Sequence, residues 1–154
     1  MKQFVRNSLA LLLLTLGAQA YDINKAQAMN GFYSHMTHKA CADSKLFVKA
    51  DDIMKMLRSK KSLLLLDVRT NAEANIVGLT GDNALHISID TLFQKENLDK
   101  LPTDRPVIIV CHSGIRATMA AIGLKQLGFK NIQVLKGGIV ALSHADTPKN
   151  APQN

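Results

Sequence analysis

The chain has 154 residues, 47% hydrophobic and 20% charged, which suits one compact domain and argues against a disordered body. Tryptophan is absent and aromatics make up 5%, so the core must rest on aliphatic side chains. The formal charge of +7 comes from scattered basic residues, unlike the clustered patch that nucleic-acid binding requires.

The first twenty residues have the form of a secretory signal. Lys2 and Arg6 supply a positive start, residues 9–16 (LALLLLTL) an apolar run, and Gly17-Ala18-Gln19-Ala20 a small-x-small cleavage pattern. A membrane anchor is the alternative, but the run is about half of the roughly 20 apolar residues that a spanning helix needs. Cleavage near Ala20 is therefore expected, with a periplasmic or secreted product, no membrane association afterwards and a mature charge near +5. No cysteine follows the cut to take a lipid. Such a surface would attract small anions.

Residues 21–45 are polar and weakly patterned, and read as a leader with room for a short helix. The domain proper is expected over 46–145. Leu46-Phe47-Val48 suits a short strand. Asp51 and Asp52 then precede Ile53, Met54, Met56 and Leu57 in a helix, with Arg58, Lys60 and Lys61 near its end, where cations are favoured. Residues 63–66 form an apolar run ending at Asp67, the pattern of a strand buried on both faces. Residues 84–89 (ALHISI), 107–110 (VIIV) and 132–135 (IQVL) are further strands. Ala117, Ala120, Ala121, Leu124 and Leu127 recur at helical spacing, and Gly128 ends that helix. A last short helix is expected over 139–145, then a flexible tail over 146–154. Buried strands separated by helices imply an α/β fold with a parallel sheet covered on both faces. Such sheets bind ligands beyond the carboxyl ends of their strands, which directs attention to the residue after Val110.

That residue is Cys111, followed by His112, Ser113, Gly114, Ile115 and Arg116 and then a helix. Loop amides and a helix N-terminus can converge there, and the local positive potential favours a thiolate. Gly114 permits a tight turn. Arg116 would either bind an oxyanion or tie the loop to an acidic partner; the sequence leaves both open. His112 contributes its backbone to the cradle, with a solvent-facing side chain. Ser113 is expected to cap the helix. Amides of residues 112–116 should ring the sulfur. Thiolate attack on a sulfur donor would leave a persulfide, which a second nucleophile then strips.

Cys-x-x-Gly-x-Arg after a buried strand resembles the active loop of the rhodanese family of single-domain sulfurtransferases. Asp67-Val68-Arg69 is similar to that family's early-strand signature. Leu127-Gly128-Phe129 with residues 132–138 (IQVLKGG) resembles its ending. Together these cover residues 46–145. The resemblance implies a rhodanese-like α/β domain with a central five-stranded parallel sheet and helices on both faces, and Cys111 as the persulfide carrier. It implies thiosulfate or a persulfide as donor, and a thiol, cyanide or a protein sulfur acceptor as receiver, without a cofactor or metal. The rivals are a non-enzymatic sulfur carrier and, less well fitted, a phosphatase or arsenate reductase. Those resemble the family but have Cys-x5-Arg loops, one residue longer, whereas a six-residue loop suits a lone sulfur.

Two departures stand out. After Glu73 the family's Gly-His-Ile-Pro-Gly-Ala is replaced by residues that lack the His and Pro, with Gly78 as the match to the first Gly. Leu142 replaces an aromatic near the end, a packing position. Asp67 and Arg69 are expected to form a buried pair that shapes the neighbouring loop. His35, His38 and Cys41 are spaced by three but lack a recognised metal pattern, and read as incidental surface. Two thiols in an oxidising compartment also allow a Cys41–Cys111 disulfide, which would lock the chemistry.

Overall fold

The computed structural model describes residues 20–149, so the signal reading and the end of the tail lie outside the described residues. Of the described residues, those up to His35 form one compact unit and those from Met36 a second. The first holds α1 (Ile23–Tyr33), capped by Asp22, whose Oδ1 accepts from the amides of Asn24 and Lys25 at 3.0 and 3.1 Å. No residue of α1 is buried.

The second unit opens with α2 (His38–Asp43), capped by Thr37 and also without buried residues. The leader thus contains two helices where the sequence suggested room for one. A five-stranded, all-parallel sheet follows, built from β1 (Phe47–Val48), β2 (Leu64–Asp67), β3 (Ala84–His86), β4 (Val107–Val110) and β5 (Ile132–Leu135) in the order β1-β5-β4-β2-β3. Between the strands run α3 (Ala50–Arg58), α4 (Asn71–Ile76), α5 (Lys95–Leu98) and α6 (Ile115–Gln126), and α7 (Gly138–Ala145) comes last. Among the described residues, no helix is long and apolar enough to cross a membrane.

Strand alternation sorts the core into two layers. Leu64, Leu66, Val107, Ile109, Ile132 and Val134 point to one face, where they meet Ala117, Ala120, Ala121 and Leu124 of α6. The alanines keep that side of α6 thin, so Leu124 is the one large side chain that the helix buries there. Leu65, Ile108, Val110 and Leu135 point to the other face and meet Ile53 and Met54 of α3 and Leu142 and Ala145 of α7. Leu142 is therefore a packing residue, as expected.

Three strand and helix readings need correction. β3 is three residues long, not six, although the amides of Ile87 and Ile89 still bond to the carbonyls of Asp67 and Val68 beyond it. α4 and α5 were not foreseen: α4 exposes most of its residues and α5 is a single turn, so neither writes an apolar period into the sequence. The stop after α6 is as foreseen: Gly128 has φ +99°, and the Phe129 amide bonds back to the Leu124 carbonyl at 3.1 Å. The tail leaves α7 with its Lys149 carbonyl accepting from Arg58 Nη1 at 2.8 Å.

Leu66 is fully buried at the centre of the first layer. Leu66→Ala should lower unfolding free energy by about 2–5 kcal/mol in a urea titration, since the packed alanine helix cannot collapse into the hole. A loss under about 1 kcal/mol would contradict this packing.

Candidate active site

Cys111 follows the last residue of β4, a strand buried along its whole length. It is 1% exposed. The chain then turns at Gly114, the N-cap of α6, with φ +109°. A Cβ there would meet nothing closer than 3.7 Å, so the left-handed backbone, and not crowding, is what calls for glycine. The turn folds the chain back over the sulfur. Cys111 Sγ accepts from the Gly114 amide at 3.1 Å and the Ala117 amide at 3.4 Å. Both donors belong to the start of a twelve-residue helix, whose unpaired amides and dipole favour negative charge at this point.

The donor set differs in part from the expected one. Of residues 112–116, Gly114 donates to Sγ, and the second donor, Ala117, lies one residue beyond. The helix turns its first amides inward, so the ring extends into α6 rather than staying within the loop. Ser113 does not cap the helix: the cap position is Gly114 and carries no side-chain bond. His112, Ser113 and Ile115 are exposed around the half-buried Gly114, so the proposed binding residues line the outer rim of the loop. Cys111 and Cys41 are both free, Cys41 exposed and Cys111 buried, so the disulfide alternative is not formed. Among the described residues no three His, Cys, Asp or Glu side chains are placed to hold a metal ion.

The loop is braced from three sides. From one, α7 presses on it: the Ile139 amide donates to the Cys111 carbonyl at 2.8 Å and the Val140 amide to the His112 carbonyl at 3.4 Å. Gly138 makes this approach possible, because a Cβ there would overlap both carbonyl oxygens, and its φ is +61°.

From the second side, β2 holds the loop's base. The Val68 amide bonds to the Val110 carbonyl at 2.9 Å, just before Cys111. Next to it sits the Asp67–Arg69 pair, 1% and 4% exposed. Arg69 Nε meets Oδ1 at 2.9 Å and Nη2 meets Oδ2 at 2.6 Å, while Nη2 also donates to the Val77 carbonyl at 2.6 Å. The bond to Asp67 raises the Arg69 guanidinium above its ordinary value. The buried pair forms, and its bond to the Val77 carbonyl ties β2 to the segment after α4.

From the third side, Arg116 forms a two-pronged pair with Glu73, Nη1 to Oε2 at 2.7 Å and Nη2 to Oε1 at 2.6 Å. Of the two roles open to Arg116, loop support is the one observed, since both terminal nitrogens are committed to Glu73. Glu73 is itself fixed by a capping box with Thr70 at the start of α4. Hydrogen bonds from Arg116, then from Thr70, hold its carboxyl well below the usual carboxylate range. Glu73 raises the Arg116 guanidinium in turn, and the charge of Cys111 contributes in the same direction.

Sequence reasoning passed over Glu73, Ala117 and Gly138 as site residues. Thr70-x-x-Glu73 is a capping-box pattern that marked α4 and its acidic residue. Gly138 closes the 132–138 (IQVLKGG) segment, and it is the clearance for the loop itself.

Glu73 has a folded value below its unfolded one, so its contribution is present in full above the unfolded carboxylate range and is lost progressively as pH falls from there toward the folded value. The melting-temperature advantage of wild type over Glu73→Gln should hold steady from pH 8 to 5 and shrink below about pH 4. An advantage unchanged down to pH 3 would contradict the ion pair. Gly138→Ala should push α7 off the loop. Native circular dichroism with faster alkylation of the buried Cys111 thiol is the expected result; an unchanged alkylation rate would show that the clearance is not needed.

A family model described as the rhodanese-like domain matches residues 49–145. A sulfurtransferase of Allochromatium vinosum is 31% identical over 106 residues, covering 69% of this chain and 95% of that protein. The probable adenylyltransferase/sulfurtransferase MoeZ of Mycobacterium tuberculosis is 38% identical over 85 residues, 55% of this chain but 21% of that protein, so the chain spans about a fifth of it. Among solved structures, a rhodanese-related protein from Thermoplasma volcanium matches with a TM-score of 0.54 and 28% identity, covering 66% of this chain and 93% of that one. With a five-stranded parallel sheet, a cysteine at the β4–α6 junction and these matches, the chain belongs to the rhodanese-like sulfurtransferase family.

Proposed function

We propose that this chain is a sulfurtransferase that carries sulfane sulfur as a persulfide on Cys111. The observation that carries the reading is an unlinked sulfur receiving two main-chain N–H donors at the start of a helix. Such donors stabilise an anion without having to reorganise when charge develops.

Two displacements account for turnover. The Cys111 thiolate attacks the outer sulfur of thiosulfate; the S–S bond of the donor breaks and sulfite leaves with the electron pair. The product is Cys111–S–S⁻. Cyanide or a thiolate then attacks the terminal sulfur, the Sγ–S bond breaks, and the pair returns to Sγ as the thiolate. Sulfur changes hands by bond exchange, with no net electron transfer. Little of Cys111 is exposed, which favours a donor with a slender terminal sulfur over a bulky one. A persulfide donor or a protein acceptor with a protruding sulfur fits the same condition. Arg116 serves by holding the first turn of α6 in place through Glu73, and Asp67 and Arg69 serve by fixing the base of the loop.

We also place the working protein outside the cytoplasm, after cleavage near Ala20. The support is the charged start, apolar run and small-residue site of residues 1–20. The net positive surface of the mature chain would draw in anionic donors.

Intact-mass spectrometry after thiosulfate exposure should show a gain of about 32 Da that a reductant removes, together with thiocyanate formation from thiosulfate and cyanide. Cys111→Ser should abolish both. No gain on the wild type would sink the reading, and a gain without catalytic turnover would recast the chain as a sulfur carrier.

A further inference from the structure

His86 belongs to none of the three braces around Cys111, yet it bonds to the one that packing secures least. α4 carries Glu73, the partner of Arg116, and buries none of its six residues. A helix without a buried apolar face is placed by its polar anchors. Besides the Arg116 pair, two anchors hold the ends of α4 among the described residues. At the carboxyl end, Arg69 Nη2 donates to the Val77 carbonyl at 2.6 Å. At the amino end, His86 Nε2 bonds at 3.0 Å to the carbonyl of Arg69, the residue before the Thr70 cap.

Strand pairing explains why a side chain makes this second bond. β3 lies beside β2 in parallel register, with His86 opposite Asp67. The Ile87 amide donates to the Asp67 carbonyl at 3.0 Å, and the Ile89 amide to the Val68 carbonyl at 3.3 Å. The next carbonyl along, that of Arg69, takes the His86 ring in place of a main-chain amide. A carbonyl only accepts, so Nε2 carries the hydrogen. Leu85, Ile87 and Ile89 pack into the α6 layer, so His86 projects from the opposite face of β3. The residue is exposed and fills no space in the core, which leaves the bond as its contribution.

Resting on the persulfide reading above, we propose that His86 is a positioning residue for the Cys111 cradle. Its bond to the Arg69 carbonyl fixes where α4 begins. The capping box carries that constraint to Glu73, since the Thr70 amide and hydroxyl both donate to Glu73 Oε2, at 3.1 and 2.9 Å. Glu73 grips Arg116, and Arg116 stands between Gly114 and Ala117, the two residues whose amides donate to Sγ. His86 itself has no bond to Sγ. It acts by keeping the donors where negative charge develops, so its loss slows the chemical step and leaves donor binding alone.

His86→Leu removes the hydrogen-bond donor. His86→Gln restores one, because the glutamine amide nitrogen lies as many bonds from Cβ as Nε2 does. In single-turnover measurements, sulfur loading from thiosulfate should slow about three- to ten-fold in His86→Leu, the scale of one misplaced hydrogen bond. The thiosulfate concentration at half-saturation should stay within about two-fold of wild type, and His86→Gln should load at a rate within about two-fold of wild type. In a Glu73→Gln background, His86→Leu should slow loading by less than about two-fold further, because the relay is already cut. Unchanged loading in His86→Leu would overturn the proposal. Equal slowing in His86→Gln would also overturn it, since the ring and not the bond would then matter. A raised half-saturation at unchanged maximal rate would place His86 at the substrate instead, and effects that multiply with Glu73→Gln would refute the relay. The amide resonances of Gly114 and Ala117 separate this relay from the persulfide reading. They should shift in His86→Leu and return in His86→Gln, even if Cys111 never loads sulfur. Both variants lack the imidazole, so a ring-current effect would appear in both. Resonances unmoved in His86→Leu, or moved alike in both variants, would refute the positioning role.

Discussion

The convergence of main-chain donors on Cys111 Sγ is the interaction on which the rest of the site depends. The donors are held by the hydrogen-bonding rules of a helix that begins where a buried strand has just ended. A strand that leaves β4 must reverse at once to start α6, and the sulfur sits inside that reversal. Gly114 supplies the left-handed turn. The amides of Gly114 and Ala117 are free to reach the sulfur because the first amides of a helix have no partners within it. The donor cradle is thus a by-product of a β-to-α junction, and the side chain it encloses is a thiol.

What protects this geometry is bracing rather than burial alone. Each support enters through a different element. α7 grips the loop's carbonyls, β2 pins its base beside the Asp67–Arg69 pair, and α4 holds the first turn of α6 through Glu73 and Arg116. The two ion pairs differ in kind. Asp67–Arg69 is buried, so loss of one partner would strand a charge in the core. Glu73–Arg116 is partly open to solvent and acts mainly through its two-pronged geometry. Gly138 shows how tight the assembly is, since a single methyl group would separate α7 from the loop.

Much of this was legible in the sequence, for physical reasons that can be named. β4 writes an unbroken apolar run because the sheet is covered on both faces, and its observed bounds match that run, while β5 keeps its expected bounds with Gln133 interrupting its apolar residues. α6 writes small residues at helical spacing, and Gly128 marks its end. The position of Cys111 at the strand end follows from the same pattern. What stayed hidden depends on contacts between distant segments. The partner of Arg116 lies 43 residues away, and no local pattern links the two. The clearance at Gly138 exists only when α7 lies against the loop. α4 exposes most of its residues and α5 is one turn long, so they lack the apolar period that announces a helix.

The most direct test of the account is the location of the transferred sulfur within the chain. The chain has two thiols, one cradled and buried and one exposed. Tandem mass spectrometry of peptides from the thiosulfate-treated protein, alkylated to trap persulfides, should place the extra sulfur on Cys111 and leave Cys41 unmodified. Sulfur found on Cys41 instead would mean that the amide cradle is not where the chemistry happens.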